Sequence, residues 1–202
     1  FVTFNDALKP SAEPLLPAGR ILGASINMYD RPSESGKLIK VVWRDLVLPI
    51  TRATLGDIHP SYNRVWYEIN GEGYIHSGNV QPVEILHNPV LPEVPREGLL
   101  AQVTVPYTDT VWNPRHPNRY AYRLYYSTTY WIKGVHQDDS GQSWYRVWDD
   151  KWGFSYFAKA EHLRLVLPEE IVPLSPEIPA ENKRLEVRLE AQAVVAYEYD
   201  RP

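Results

Sequence analysis

The chain has 202 residues, of which 44% are hydrophobic and 12% aromatic, so it can build one large core or two small ones and is not a disordered protein. Its net charge of -4 argues against nucleic acid as a partner, and no apolar run reaches the roughly 18 residues that a membrane span needs. It contains no cysteine, which excludes disulfides, thiolate metal sites and cysteine nucleophiles.

The first half of the chain predicts a small β-barrel. Residues 1–18 are polar and interrupted by proline, which predicts an irregular lead-in. Strands are predicted over 20–29, 37–45 and 46–54, where short apolar stretches are bounded by turn residues. Turns recur at intervals of about 8–12 residues, which is typical of a barrel of short strands, here over 19–86.

The segment 63–77 predicts a tight β-hairpin at the end of this barrel. Trp66 and Tyr67 open its first strand. The pair Asn70-Gly71 tolerates positive φ angles at both centres of a type I′ turn. An aromatic return strand follows this turn and closes the hairpin.

The same order of strand, turn and aromatic return strand recurs over 143–157. Trp144 and Tyr145 again open the first strand. A repeat of this kind predicts two domains of similar fold. We therefore expect a second barrel over 98–166, joined to the first by a stiff, proline-containing linker over 87–97.

The last part of the chain predicts one further hairpin. Residues 167–182 form a second proline-rich linker, and 183–202 contain an alternating strand, a turn and a return strand. A lone hairpin cannot bury its apolar row. We expect residues 185–199 to be covered by the second barrel or by self-association with another copy of the chain.

Two parts of the sequence resemble known bacterial families. The strand 20–29, the turn 30–33 and the hairpin 63–77 resemble bacterial SH3-like domains. The final hairpin, with Gln192 in its turn and Ala196-Tyr197 at its end, is similar to the opening of the L,D-transpeptidase catalytic domain. Tandem SH3-like units followed by this hairpin resemble exported L,D-transpeptidases. The resemblance implies an all-β chain of two SH3-like barrels and a C-terminal hairpin, cut at the start of the catalytic domain.

This resemblance implies a non-catalytic role for the chain itself. The family's reaction needs a cysteine thiolate activated by histidine, and the chain has no cysteine. We expect a region that binds peptidoglycan or its stem peptides and targets its own catalytic domain, in the cell envelope or outside the cell. The alternative is a scaffold that packs on the catalytic domain and regulates it. A catalytic β-domain such as a glycosidase is a third hypothesis.

Aromatic residues are the candidates for ligand contact. Aromatic rings with polar or turn-like neighbours can stack on sugar rings or pack on peptide, although packing between the barrels is the alternative role. These ligand-binding candidates are Trp112, Trp148, Trp152 and Tyr156. The residues expected to be structural, in the core or at a barrel rim, are Trp66, Tyr67, Trp144 and Tyr145.

No cofactor, metal site or acid–base pair is predicted. The six histidines never fall at close ligand spacing, and the nearest approach to a metal motif, His136 with Asp138 and Asp139, favours a hairpin turn. The pair Asp149-Asp150 favours a solvated hairpin tip over an acid and base. The start at Phe1 rather than methionine favours a processed product or an excised fragment.

Overall fold

The computed structural model describes residues 18–58 and 62–202, so the lead-in predicted before Ala18, and His59, lie outside the described residues. The prediction of an all-β chain is confirmed, because two seven-stranded antiparallel sheets are followed by a two-stranded hairpin. The chain divides at Val166 into a unit that holds both large sheets and a smaller unit, Leu167–Pro202. Among the described residues, no helix is long and apolar enough to cross a membrane.

The first sheet curls around a core of its own. Its strands are β1 (Ala18–Ile21), β2 (Ser25–Tyr29), β3 (Leu38–Trp43), β4 (Val47–Leu55), β5 (Val65–Ile69), β6 (Gly73–His76) and β7 (Val80–Val83). They lie in the order β3-β2-β6-β5-β4-β1-β7. The register of β4 shifts between Ile50 and Arg52, where pairing changes from β1 to β5. Such a bulge bends a strand, which lets the sheet close over its core. The buried core side chains are Ile21, Ile26, Met28, Val42, Ile50, Ile69, Ile75 and Val80.

The second sheet repeats this arrangement strand for strand. Its strands are β8 (Leu99–Val103), β9 (Tyr107–Val111), β10 (Tyr120–Tyr125), β11 (Thr129–Gln137), β12 (Ser143–Asp149), β13 (Phe154–Lys159) and β14 (Leu163–Leu165). They lie in the order β10-β9-β13-β12-β11-β8-β14. The long strand β11 is bulged between Ile132 and Val135, as β4 is in the first sheet. In both barrels a short 3₁₀ turn precedes the last strand, at Ser77–Asn79 and at Ala160–His162.

Equivalent turns in the two barrels use the same backbone hydrogen bonds. Asp45 and Ser127 follow the third strand of their barrels, with φ angles of 64° and 66°. The N–H of Asp45 donates to the carbonyl of Ile21 at 2.9 Å, and the N–H of Ser127 donates to the carbonyl of Val103 at 2.9 Å. Asp is one of the residues that enter this left-handed region at modest cost. The repeat therefore extends to individual hydrogen bonds.

An arginine and a glutamine pair between the first and last strands of both barrels. The arginine lies on the first strand in one barrel and on the last strand in the other. In the first barrel, Arg20 on β1 donates through Nη2 to Oε1 of Gln81 on β7 at 2.8 Å. In the second, Arg164 on β14 donates through Nε to Oε1 of Gln102 on β8 at 2.7 Å. Both pairs join directly opposite residues of neighbouring strands, where side chains meet on one face.

The carboxylate of Asp45 joins the two barrels. Its Oδ1 accepts from Nη1 of Arg20 at 2.8 Å, and its Oδ2 accepts from Nη1 of Arg123 at 2.9 Å and from the hydroxyl of Tyr125 at 3.3 Å. The guanidinium carbon of Arg20 also lies 4.3 Å from the centre of the Tyr125 ring. Burial opposes ionisation of Asp45, but the hydrogen bonds from Arg123 and Arg20 outweigh it and lower the pKa of this carboxyl.

The predicted linker over 87–97 packs on the second barrel. Leu91 is buried in the second core, and its N–H donates to the hydroxyl of Tyr145 at 2.9 Å. The side-chain amide of Asn88 donates to Oγ1 of Thr104 at 2.6 Å and to the carbonyl of Glu161 at 3.1 Å. This segment is therefore held by buried hydrogen bonds as well as by its prolines. The domain boundaries at its two ends stay a prediction.

The smaller unit contains a hairpin with two unlike faces. Its elements are 3₁₀ turns at Pro168–Glu170 and Ala180–Asn182 and the strands β15 (Lys183–Arg188) and β16 (Ala193–Glu198). On one face, Arg188 donates to Glu186 at 2.7 Å and to the hydroxyl of Tyr197 at 2.8 Å. On the other, Leu185 and Val187 are 73% and 62% exposed. The expectation that a partner covers this apolar row stays a prediction.

Replacing Asp45 by asparagine leaves Arg20 and Arg123 without their shared carboxylate. We expect the free energy of unfolding at pH 7 to fall by about 1–3 kcal/mol, because these ion pairs are only partly buried and their cost lies between those of exposed and buried pairs. Because the pKa of Asp45 is lowered in the folded protein, its contribution is complete above the unfolded value of 3.8 and is lost as the pH falls through the folded value. Urea unfolding of both proteins across the acid range measures this.

The matched control is Asp109→Asn, which removes the more exposed carboxylate that Arg123 also binds. We expect a smaller loss, because exposed ion pairs contribute at most about 1 kcal/mol. Equal losses for the two variants, or a difference for Asp45→Asn that grows in acid, would show that the junction does not depend on Asp45.

The exposed row of the final hairpin predicts self-association at high concentration. Apolar rows on an unpaired hairpin favour burial against a second copy. We expect Val187→Asp with Leu189→Asp to give a monomer under conditions where the wild-type chain associates. Sedimentation velocity over a concentration series measures this, with Glu186→Gln on the opposite face as the control. An unchanged sedimentation profile in the double variant would contradict the expectation.

Candidate aromatic binding surface

Four aromatic rings meet at one end of the second barrel. We call the residues Trp112, Tyr122, Phe154 and Tyr156 the aromatic cluster. The ring of Trp112 lies 5.6 Å from that of Tyr122 and 5.4 Å from that of Phe154, centre to centre. Tyr122 is nearly parallel to Phe154, with an angle of 9° between the rings, and its centre lies 5.1 Å from that of Tyr156. These separations are in the range where aromatic rings attract one another.

A β-bulge aims Tyr122 at this cluster. The pairing of β10 with β9 shifts between Tyr120 and Arg123, so Tyr122 lacks a regular ladder partner. The buried hydroxyl of Thr110 replaces it, because Oγ1 donates to the carbonyl of Tyr122 and accepts from its N–H, both at 2.9 Å. Bulges often redirect a side chain in this way. At the end of β9, the N–H of Trp112 donates to the carbonyl of Arg119 at 3.0 Å. This hydrogen bond closes the loop between β9 and β10.

The aromatic cluster has an exposed layer above a buried one. Trp112 is 43% exposed and Tyr122 is 41% exposed, whereas Tyr156 is only 4% exposed. Burial raises the pKa of the Tyr156 hydroxyl, so this ring stays neutral beneath the others. The cluster therefore presents the faces and edges of two preoriented rings to solvent. Such rings can pack on the C–H faces of a sugar or on an apolar part of a peptide.

Of the four predicted contact residues, Trp112 and Tyr156 come together and the other two do not. Trp148 lies on the outer face of β12, directly opposite Trp131 on β11. Trp152 is 67% exposed in the turn after β12, where its backbone N–H donates to Oδ1 of Asp149 at 3.0 Å. Neither makes a ring contact with the aromatic cluster in the described part of the chain. All four remain candidates for ligand contact.

The residues expected to be structural are largely inside the barrels. Trp66 and Tyr145 are fully buried, Trp144 is 5% exposed, and Tyr67 packs against the first core. The indole N–H of Trp144 donates to Oδ2 of Asp138 at 2.9 Å. The equivalent N–H of Trp66 has no acceptor among residues 18–58 and 62–202. Their assignment to structural roles stays a prediction.

The first barrel carries a polar groove of about 370 Å³. Its lining residues are Ser25, Ile26, Asn27, Tyr29, Glu34, Trp66, His76 and Asn79. His76 forms its wall with both ring nitrogens occupied, because Nε2 lies 2.9 Å from the carbonyl of Asn63 and Nδ1 accepts from the N–H of Gly78 at 3.2 Å. In this pattern Nδ1 is the acceptor and Nε2 faces the backbone carbonyl.

Two histidines and a glutamate approach one another beside the second core. The rings of His87 and His162 are 5.3 Å apart, and Nδ1 of His87 lies 3.5 Å from Oε2 of Glu161. Burial, with help from Lys159 and His87, lowers the pKa of His162 to about 4. Nδ1 of His162 is bound to the hydroxyl of Thr108 at 2.8 Å. Within the described residues, no group of three or more acidic or histidine side chains is placed to hold a metal ion.

The turn predicted around His136 and Asp138 is present between β11 and β12. Oδ1 of Asp138 accepts from the N–H of Ser140 at 2.9 Å and from that of Gln142 at 3.1 Å. Hydrogen bonds from Ser140 and Trp144 lower the pKa of Asp138 to about 2. Asp138 therefore caps the turn and holds Trp144.

Sequence reasoning missed Tyr122 and Phe154 as members of the aromatic cluster. Both occur in strands that are aromatic throughout, so composition did not distinguish them from core residues. The alternation of Tyr122 and Leu124 in β10 was the available signal, since residues two apart in a regular strand point to one face. The bulge at Tyr122 and the contact of β13 with this residue arise only in the folded sheet, so the sequence did not indicate them.

No family model and no curated protein matches the chain. Among solved structures, the one titled "Endolysin LysPBC5 CBD" is 12% identical, covering 78% of this chain and 98% of its own. Its TM-score is 0.27, which is too low to transfer a fold or a function.

Replacing Thr110 by valine tests how the aromatic cluster is positioned. The methyl group cannot hydrogen bond to the N–H and carbonyl of Tyr122, so we expect the free energy of unfolding to fall by about 1–3 kcal/mol. We also expect the near-ultraviolet circular dichroism of the clustered rings to weaken. Thr129→Val, in the exposed start of β11, is the control. A variant with wild-type stability and an unchanged aromatic signal would show that Thr110 does not position Tyr122.

Proposed function

We propose that this chain is the non-catalytic, cell-wall-binding part of an exported protein of the L,D-transpeptidase type. In this proposal the two SH3-like barrels bind peptidoglycan or its stem peptides and hold the catalytic domain on its polymer. The final hairpin is the first part of that catalytic domain. The protein acts in the cell envelope or outside the cell. The observation that carries the proposal is the exposed, preoriented aromatic cluster.

The chemistry of the aromatic cluster fits a glycan. A sugar ring offers a face of C–H groups that packs on an aromatic ring, and hydroxyl groups at its edge that stay in water. Trp112 and Tyr122 supply such rings, and Tyr122 adds a phenolic hydroxyl beside them. Because the rings are already held by their neighbours, little side-chain entropy is lost when a ligand packs on them.

The sequence supports the same proposal independently. The hairpin 63–77 and its repeat resemble bacterial SH3-like domains, and the end of the chain resembles the start of a transpeptidase domain. The family's cysteine nucleophile is absent from this chain, so the chain itself supplies no acyl transfer of that kind. SH3-like folds serve unrelated functions, so the role must be argued from the surface.

The alternative is a scaffold that packs on the catalytic domain and regulates it without binding the wall. The exposed apolar row of Leu185, Val187 and Leu189 favours this alternative. Exposed apolar side chains of this kind are usually buried against an apolar surface of another domain. The two functions differ in what the chain binds when no catalytic domain is present. Only the first predicts retention on purified peptidoglycan.

Co-sedimentation of the full 202-residue chain with insoluble peptidoglycan tests the proposal. We expect the wild type to bind, and Trp112→Ala with Tyr122→Ala to bind about tenfold more weakly, because each lost stacking contact costs about 0.5–1.5 kcal/mol. Trp43→Ala is the matched control, since this tryptophan is exposed on β3 of the first barrel.

Circular dichroism and thermal unfolding establish that each variant is folded before binding is compared. Absence of wild-type binding would favour the scaffold. Binding that Trp43→Ala weakens as much as the double variant does would remove the aromatic cluster from the proposal.

A further inference from the structure

The outer face of β11–β13 carries aromatic and cationic side chains together. We call Trp131, Lys133, Arg146, Trp148 and Phe157 the outer strip. Trp131 lies directly opposite Trp148, and Arg146 lies directly opposite Phe157. Opposite residues of antiparallel strands point to the same face of a sheet. Val147 and Tyr156 alternate with these residues and are buried, so the outer strip faces away from the core.

The cations of the outer strip are not neutralised by acidic neighbours. Nη2 of Arg146 donates to the carbonyl of Lys133 at 2.8 Å, so the guanidinium lies across the bulge of β11. The ammonium group of Lys133 donates to the backbone carbonyl of Glu97 and lies 5.9 Å from the centre of the Trp131 ring. Among the described residues, neither cation forms an ion pair with a carboxylate. Asp149, the nearest acid along β12, binds the N–H of Trp152 instead.

The first barrel shows that the fold does not require this surface. Because Trp66 and Tyr67 are equivalent to Trp144 and Tyr145, Glu68 occupies the place of Arg146. Glu68 pairs with Arg52 at 2.8 Å, so the same face of the first barrel is neutral at this point. A chain with a net charge of -4 thus keeps, within its described residues, two cations without ion pairs beside the exposed pair Trp131 and Trp148 of its second barrel.

We propose that the outer strip binds an anionic glycan of the wall in which phosphodiester groups alternate with sugar rings. This inference rests on the proposed cell-wall function. Trp131 and Trp148 stack on sugar rings, while Arg146 and Lys133 bind phosphate oxygens. The guanidinium group is a planar donor that matches phosphate geometry.

The spacing along β12 selects this ligand among wall components. Arg146 and Trp148 are two residues apart on one strand, so their positions differ by about 7 Å. A polymer with phosphate in its backbone places a charge next to every ring, whereas the carboxylates of stem peptides branch away from the sugar chain. Complementary charge and the adjacent rings therefore favour the phosphodiester glycan.

The test compares walls before and after hydrofluoric acid treatment, which removes phosphodiester polymers and leaves peptidoglycan. We expect the wild-type chain to bind untreated walls about tenfold more tightly at low salt, with the difference shrinking as added salt screens exposed charges. We expect the double variant Lys133→Gln/Arg146→Gln to bind untreated and stripped walls equally tightly, with the affinity that the wild type has for stripped walls. Lys37→Gln with Arg115→Gln, two exposed cations outside the strip, retains the tighter binding to untreated walls.

The inference is overturned if the wild type binds untreated and stripped walls equally tightly. It is also overturned if Lys133→Gln/Arg146→Gln still binds untreated walls more tightly than stripped ones. The third contradicting outcome is that single-stranded DNA binds through the same residues as tightly as the untreated wall does. Trp131→Ala with Trp148→Ala provides a second variant that leaves the charges in place, and it too must reduce the difference. Loss of binding to stripped walls alone overturns the proposed peptidoglycan function and leaves this inference standing. Thermal unfolding of every variant verifies its fold.

Discussion

The carboxylate of Asp45 is the contact on which the arrangement of the two barrels depends. It is 13% exposed and lies between Arg20 of its own barrel and Arg123 of the next. A partly buried charge is most stable when its partners are in place, so these contacts favour the observed orientation of the barrels. The same turn in the second barrel carries Ser127, which has no charge to share. The turn occurs in both barrels, but only the copy in the first barrel carries a carboxylate that can bridge them.

The two barrels share a backbone and differ in what they present to solvent. The N–H of Asp30 donates to Lys37 as that of Trp112 donates to Arg119, so a solvated turn in one barrel corresponds to the edge of the aromatic cluster in the other. Most hydrogen bonds within each sheet join backbone groups. Outward side chains can therefore differ between the barrels without loss of the fold, and the aromatic cluster and the outer strip lie on the second barrel.

Binding by such surfaces depends on rigidity as much as on area. Thr110 replaces the missing ladder partner of Tyr122, and Tyr156 supports that ring from below. A ring held in this way loses little freedom when it contacts a ligand. The segment before Gly98 is docked on the second barrel through the hydrogen bond from Asn88 to Thr104.

The sequence by itself indicated most strands, the two hairpins and the all-β class, because alternation and turn residues act locally. Its single strand over 20–29 was wrong: β1 ends at Ile21 and β2 begins at Ser25, and the two strands pair with different neighbours. The sequence also indicated Trp112 and Tyr156 as candidates, without their partners. Only the tertiary structure decided that Tyr122 and Phe154 join them, that Asp45 bridges two barrels, and that Arg146, without an ion pair among the described residues, lies beside the pair Trp131 and Trp148. Those contacts join strands distant in the chain, and a bulge that shifts register by one residue moves a side chain to the other face.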